Sequence, residues 1–571
     1  QLILNTGAEL IFGALALGRD NTSTIAQTIS AGGKISQTNS TSFVAHGNVT
    51  IDSLENDIVL KNSGNDFTGS LTVENGKTLE ITDANDLNLG ATSVSGDVSI
   101  GVSGTLDQST VAGKGLAIGG DFTVDLGDGA GSGDDLSLLN AGNSIDGDMT
   151  ILGADQVSIT TKTALHIVEA EVANNLILNS EGRLYNANGW DVAGTTVINA
   201  AGQDVVLTAA HDFKNSVSIT ARSLTINDVN DIVFDSITLT GNLKVTAAGS
   251  ITATGTVKVD GRTELIAGGS SSDIVFNNVN NDFIGSVSVS NVRDVSLKDK
   301  NSMVLGQQAI SGNLSATAVS GVVSDSAAIN VTGTTEIVAG TNISLNAAGH
   351  DFVGAVSMTG ADSTLRDGNA LTLGSVDLSG AMTLYAQGTV TGTSVIEVDL
   401  ASLVNAGGND INLGNTQNDF VGLLTLEQAK NITIVDKNAL AFSGNAAGIG
   451  SDLILTAGGA LELSHGVSSV DDITLVANGI SFGQSTVGGD LVVNATGGGG
   501  AITQRQQTLD GIQHDSILRI SGASNITADA ITLDHVNAFN GNVLVSSTGN
   551  VNLNAEGAIA FAGATVGGNL I

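Results

Sequence analysis

Apolar and polar residues alternate along most of the chain. In Ser70-Leu71-Thr72-Val73 and Asp410-Ile411-Asn412-Leu413 the apolar side chains fall on one side and the Ser, Thr, Asn and Asp on the other. A period of two is the signature of a half-buried strand, and helical periodicity is essentially absent. The pattern predicts an all-β chain.

The strands are copies of one another. A single phrase recurs at 86–100 (DLNLGATSVSGDVSI), 231–245, 302–316, 370–384, 439–455, 479–493 and 558–571. A second slot reads Asn/His-Asp-Phe, at Asn65-Asp66-Phe67, His211-Asp212-Phe213, Asn281-Asp282-Phe283, His350-Asp351-Phe352 and Asn418-Asp419-Phe420. Its last four Phe stand 70, 69 and 68 residues apart. A third slot, Val197, Leu265, Ile337 and Leu403, is spaced by 68, 72 and 66. Inside this long unit lies a shorter one, since Phe67 to Leu89, Phe283 to Leu305 and Phe420 to Phe442 each span 22 residues. Between Leu138 and Phe213 the copy is degenerate, with GNSIDGDMTI at 142–151.

A short alternating pattern repeated in this way is the mark of a solenoid. The expected fold is a right-handed parallel β-helix with about 22 residues per coil, three coils per repeat of about 70 and about 26 coils in all. The hand follows the crossover rule. One continuous shaft is expected over 1–571, cored by Val, Ile, Leu and Ala. Gly-Asn and Gly-Asp are expected to supply positive-φ corners, and stacked Asn and Thr to form side-chain ladders. Both ends of the chain fall inside the pattern, so a segment of a longer rod is expected.

Composition sharpens this. There are 74 Gly and no Pro. Proline is excluded from central strands, and its absence suits a backbone in nearly continuous sheet pairing. With no Cys, disulfides, zinc-thiolate sites and cysteine nucleophiles are excluded. Lys and Arg total 20 against 57 Asp and Glu, a formal charge of −37. Such a surface repels phosphate backbones and anionic lipid, so no nucleic-acid partner is expected. The longest apolar run, ELIFGALALG at 9–18, is too short to span a bilayer, so no direct membrane insertion is expected.

Three phrases carry a family resemblance: Asn-Asp-Phe-x-Gly-x-Val-x-Val, Ala-Leu-x-Leu-Gly, and Gly241–Thr252 (GNLKVTAAGSIT). They resemble the repeats of filamentous-haemagglutinin-type exoproteins, bacterial adhesins exported by two-partner secretion that include biofilm-matrix adhesins. The resemblance implies a secreted or cell-surface protein. It also implies an outer-membrane secretion partner, engaged through an amino-terminal domain. That domain typically carries Asn-Pro-Asn-Gly, and this chain has no Pro. The same shaft also carries toxins and haemolysins in the family, and no functional residue transfers from it.

The search for chemistry returns weak candidates. His211 and His350 occupy a slot that is otherwise Asn and read as polar corner residues before ligands or bases; His46, His166, His465, His514 and His535 are scattered. The acids Asp66, Asp212, Asp282, Asp351 and Asp419 fall about three coils apart, roughly 14 Å, too far for a glycosidase pair, and read as turn caps. The Gly-rich acidic loop Asp125–Asp135 could take calcium, but it lacks a repeated β-roll and the EF-hand spacing, so a solvated loop is the reading. Arg19, Arg183, Arg222, Arg262, Arg293, Arg366, Arg505 and Arg519 are dispersed; Arg505 and Arg519 flank His514 in the irregular stretch 503–519. The sequons at Asn48, Asn342, Asn431 and Asn525 are expected from composition alone. No catalytic, cofactor or metal residue is assigned.

The expected function is the non-catalytic shaft of a large secreted adhesin, holding cells or biofilm matrix together by multivalent contacts to exopolysaccharide or to other copies of the rod. The alternatives are a passive spacer presenting a distal toxin or binding tip, and a polysaccharide-active β-helix enzyme.

Overall fold

The computed structural model describes residues 2–18, 25–127, 133–444, 449–497, 499–509 and 512–571. Every regular element among them is a strand. They form two compact units, Gln1–Gly285 and Ser286–Ile571, each a β-solenoid of parallel strands. The turns number about 26 in all, in repeats of about 70 residues.

Each strand lies on its copy from the coil beneath. In the first unit Val157 pairs with Leu176, Leu176 with Thr196 and Thr196 with Val217, steps of 19, 20 and 21 residues. In the second, Ser363 pairs with Met382, Met382 with Ser402 and Ser402 with Leu424, steps of 19, 20 and 22. Each step climbs about 4.8 Å. The alternation read from the sequence places the core: Val157, Ile159 and Thr161 point inward while Ser158 and Thr160 face out. Leu87, Leu106, Leu136, Val157 and Leu176 then stack in one column, each almost fully buried. Burial of each such side chain contributes about 1.5–3 kcal/mol. The one antiparallel pairing printed among the described strands is a hairpin, Gln506–Leu509 against Ile512–Asp515.

The coil and the repeat are not commensurate. Within the first unit Ile118, Phe122 and Leu136 lie on successive strands of one coil. Ile145 stacks directly on Ile118. Phe213 belongs to the column that rises from Phe122 through Met149, the strand of Ala170, and Trp190. Phe283 belongs to the column that rises from Leu136 through Val157, Thr196, Val217 and Val257. Equivalent residues of consecutive repeats therefore occupy three different faces. The second unit does the same, since Phe352 stacks on Val331 whereas Phe420 lies in the column of the next strand, through Thr335 and Val356. A repeat thus holds about three and a third coils of about 21 residues, which refines the expected three coils of about 22, and each repeat turns by one face.

The corner glycines have a different reason from the one expected. Gly47, before Asn48, does have φ of 112°, but Gly120, Gly147, Gly312 and Gly489 are not among the positive-φ residues. They are glycines because the coil beneath leaves no room. A Cβ on Gly147 would lie 2.3 Å from the carbonyl carbon of Gly120, far inside contact distance. The Asn or Asp that follows each corner glycine accounts for the close approach. Asp121 Oδ1 accepts the amide of Asp148, Asn313 Oδ1 that of Thr334 and Asp472 Oδ1 that of Asp490, each one coil up. The expected ladders exist, and they run from side chain to backbone.

Candidate functional site

The Asn/His-Asp-Phe slot is a clamp between coils. Asn65 Oδ1 accepts the amide of Phe43 in the coil below at 2.9 Å, and its Nδ2 donates to Leu60 O at 2.9 Å. Asn281 does the same with Val257 N and Phe276 O, and Asn418 with Ile396 N and Leu413 O. In the copy read as degenerate, Asn143 accepts from Leu116 N and donates to Leu138 O, so the polar half of the slot persists where Phe has become Ile145. Asn537, two residues before Phe539, makes the same two bonds, to Leu518 N and Leu533 O. His211 and His350 accept from Trp190 N and Ile329 N through Nδ1, each at 3.0 Å. All these side chains are essentially inaccessible to water. The polar-corner reading of the two histidines holds. Because Nδ1 accepts, each imidazole is neutral. Burial pushes the His211 pKa down to about 4, and burial likewise lowers that of His350.

A second set of acids, not singled out by sequence, completes the clamp. Asp83, Asp228, Asp367 and Asp436 are buried one coil above the slot. Their Oδ2 atoms accept the amides of Phe67, Phe213, Phe352 and Phe420 at 2.8, 3.0, 3.1 and 2.7 Å. Their Oδ1 atoms accept the amide two residues on, from Asn85, Asn230, Asn369 and Asn438. Burial raises all four pKa values, that of Asp83 to about 6, against the downward pull of the amides. Turn capping is therefore the work of these residues. Two of the Asp-Phe acids expected to do it, Asp212 and Asp419, instead meet Lys214 with Asn230 and Lys437 with Asn438 at the surface. The signal was present: Asp228, Asp367 and Asp436 recur at nearly the repeat spacing, each closing a strand before Asn or Val.

The remaining candidates stay apart. His166 lies on Asp148 and stacks on Tyr185 at 4.2 Å, and the Arg183 guanidinium sits over the same ring. Arg222 pairs with Asp204, Arg505 with Glu462 and Arg519 with Glu556, while Arg366 covers Tyr385. Arg505 and Arg519 thus go to separate carboxylates, and His514 stands exposed on the hairpin between them. In the acidic loop Asp125 accepts the amide of Gly127, and Asp135 that of Gln156. Residues 128–132 of that loop, like Arg19, lie outside the described residues. The sequon residues Asn48 and Asn342 are corner acceptors for Ser70 N and Asp362 N.

Three features lie on the surface. The carboxylates of Asp452, Asp471 and Asp472 lie within 4.8 Å of one another, although Asp452 and Asp472 each already accept an amide from the next coil. A groove of about 310 Å³ is lined by Thr160, Asn179, Ser180, Glu181 and Asn199. Another, of about 290 Å³, crosses corners from Glu55 to Asp146. Neither groove brings an acid and a base together as hydrolysis of a glycan requires.

Residues 4–74, 76–152, 154–220, 221–290, 292–359, 360–427 and 470–546 match a family described as repeats of unknown function (DUF5649), and the chain belongs to that family. Each matched stretch ends seven residues after a slot position, namely Phe67, Ile145, Phe213, Phe283, Phe352, Phe420 and Phe539. The repeat of the family is therefore the clamp repeat described above. No curated protein matches the chain, and no solved structure does.

Proposed function

We propose that this chain is the non-catalytic shaft of a secreted bacterial adhesin of the filamentous-haemagglutinin type, joining cells or matrix through many weak surface contacts. The observation that carries this reading is the turning of the repeat. Within each unit consecutive clamps face different sides, so whatever a repeat presents is presented all round. A pocket enzyme gains nothing from that arrangement, whereas a multivalent binder gains effective concentration in every direction.

The buried polar groups support the same reading. Asn65, Asn281, Asn418 and the four raised acids are spent on holding coil to coil, and the Arg residues on separate carboxylates or rings. The outer faces are Ser, Thr and Asn, which suit hydroxyl-rich polysaccharide. The partners in this reading are exopolysaccharide or further copies of the chain, reached after export through an outer-membrane secretion partner.

The test is binding of the purified chain to bacterial exopolysaccharides, with product analysis. Saturable binding without cleavage is expected. Released product would make the chain an enzyme, and absence of binding to any glycan or to itself would leave a spacer.

A further inference from the structure

Resting on the adhesive reading, we propose that the groove between Glu55 and Asp146 is a glycan subsite. It takes a neutral or amino-bearing polysaccharide chain laid along the coil stack and rejects uronate polymers. The groove is built from five successive coils: Glu55, then Asn75 with Gly76, then Ser93 to Ser95, then Ala117 to Gly119, then Ser144 with Asp146. Register confirms the succession, since Asn56 pairs with Gly76, Gly76 with Val94, Val94 with Ile118 and Ile118 with Ile145. Four steps of about 4.8 Å make it about 19 Å long. One coil step is close to the length of one pyranose in an extended β-linked glycan, so sugar and coil run in register.

The lining has the composition that sugar recognition needs. The buried side chains of Val94 and Ile118 and the small residues Gly76 and Gly119 give a smooth floor for pyranose C–H faces. Ser93, Ser95 and Asn75 are exposed and offer hydroxyl and amide groups along the rim. The Ser95 hydroxyl points to Gly76 O at a long 3.5 Å, and Ser144 Oγ donates to Asp146 Oδ1 at 3.0 Å. Glu55 and Asn75 hold left-handed backbone, with φ of 64° and 51°. No lining residue is cationic. The nearest lysine on this corner, Lys77, leans to Asp57 at 3.9 Å. Two carboxylates without a cation repel a polyuronate and attract an ammonium.

The experiment titrates the full chain with β-linked oligomers of glucose, glucosamine and mannuronate, followed by calorimetry. The glucose and glucosamine oligomers are expected to bind, the latter about fivefold more tightly, as two exposed ion pairs allow; the uronate oligomer is not. Ser95→Trp fills the groove and is expected to abolish binding, with Ser93→Trp as a second blocking variant and unchanged circular dichroism for both. Glu55→Gln combined with Asp146→Asn is expected to bring glucosamine down to the level of glucose. Uronate binding as tight as glucose binding, or binding unchanged in both Trp variants, overturns the subsite. If the wild type binds glycan and the Trp variants bind it equally, the adhesive reading stands and only this groove falls. If no oligomer binds, the subsite is overturned, and cell aggregation decides the adhesive reading separately.

Discussion

His211 Nδ1 accepts the backbone amide of Trp190 at 3.0 Å, one coil below, with the two rings edge to face at 5.1 Å. One repeat later Asn281 makes the same bond and adds a second, donating to Phe276 O. His211 cannot add it, and its Nε2 is buried without a partner. The histidine slot is thus a half-satisfied version of the asparagine slot.

His211→Asn is therefore expected to stabilise the first unit by about 1 kcal/mol, the net worth of one regained hydrogen bond. The check is hydrogen exchange of the Trp190 amide, which slows in the variant.

Acid acts on His211 in a defined direction. Its folded pKa of about 4 lies below the ordinary 6.5. Its contribution is therefore fully present above pH 6.5 and is lost as pH falls through about 4. Trp190 is the only tryptophan and reports on this directly. Its fluorescence is expected to hold steady from pH 7 to 5 and to quench near 4; quenching near 6.5 would place a charged His211 in the folded state.

The buried acids run the other way. Asp83 has a folded pKa of about 6, above its ordinary 3.8. The stability linked to it is fully present below pH 3.8 and is lost as pH rises through about 6. Asp228, Asp367 and Asp436 shift in the same direction. Carbon-13 titration of Asp83 is expected to give a midpoint near 6, and local protection of the Phe67 amide, corrected for intrinsic exchange, is expected to increase between pH 7 and 5.

Close stacking sets the corner glycines. Gly147→Ala forces a Cβ against the Gly120 backbone at 2.3 Å and is expected to cost about 1–3 kcal/mol. Gly557, with nothing within 4 Å of the added Cβ, is the control, and its Ala variant is expected to change stability by less than about 0.5 kcal/mol. Chemical denaturation of the two variants makes the comparison.

Inside the core, the hydroxyls of Thr196, Thr263, Thr335 and Ser402 are buried and unpartnered. Thr335→Val keeps the shape and removes the orphan, and is expected to stabilise the second unit by about 1 kcal/mol in thermal denaturation.

The sequence carried the solenoid and the Asn/His-Asp-Phe slot because Phe is scarce in this chain and its recurrence stands out. It hid the turning of the repeat, because a spacing near 70 and a coil near 22 look like a ratio of three until strand register is known. It hid Asn143, since the Phe beside it had become Ile145. Asp83 and its equivalents passed as ordinary strand-end acids, because nothing local says that a carboxylate will be covered by the next coil. The groove between Glu55 and Asp146 is made from residues 91 positions apart in sequence, and no local pattern announces it.

The most direct test of the adhesive reading replaces this segment, in the protein that carries it, with an unrelated β-solenoid of equal turn number, and measures cell aggregation with surface display held constant. Aggregation is expected to be lost although the protein is displayed. Aggregation restored by the unrelated coils would contradict an adhesive surface and leave length as the only contribution of this shaft.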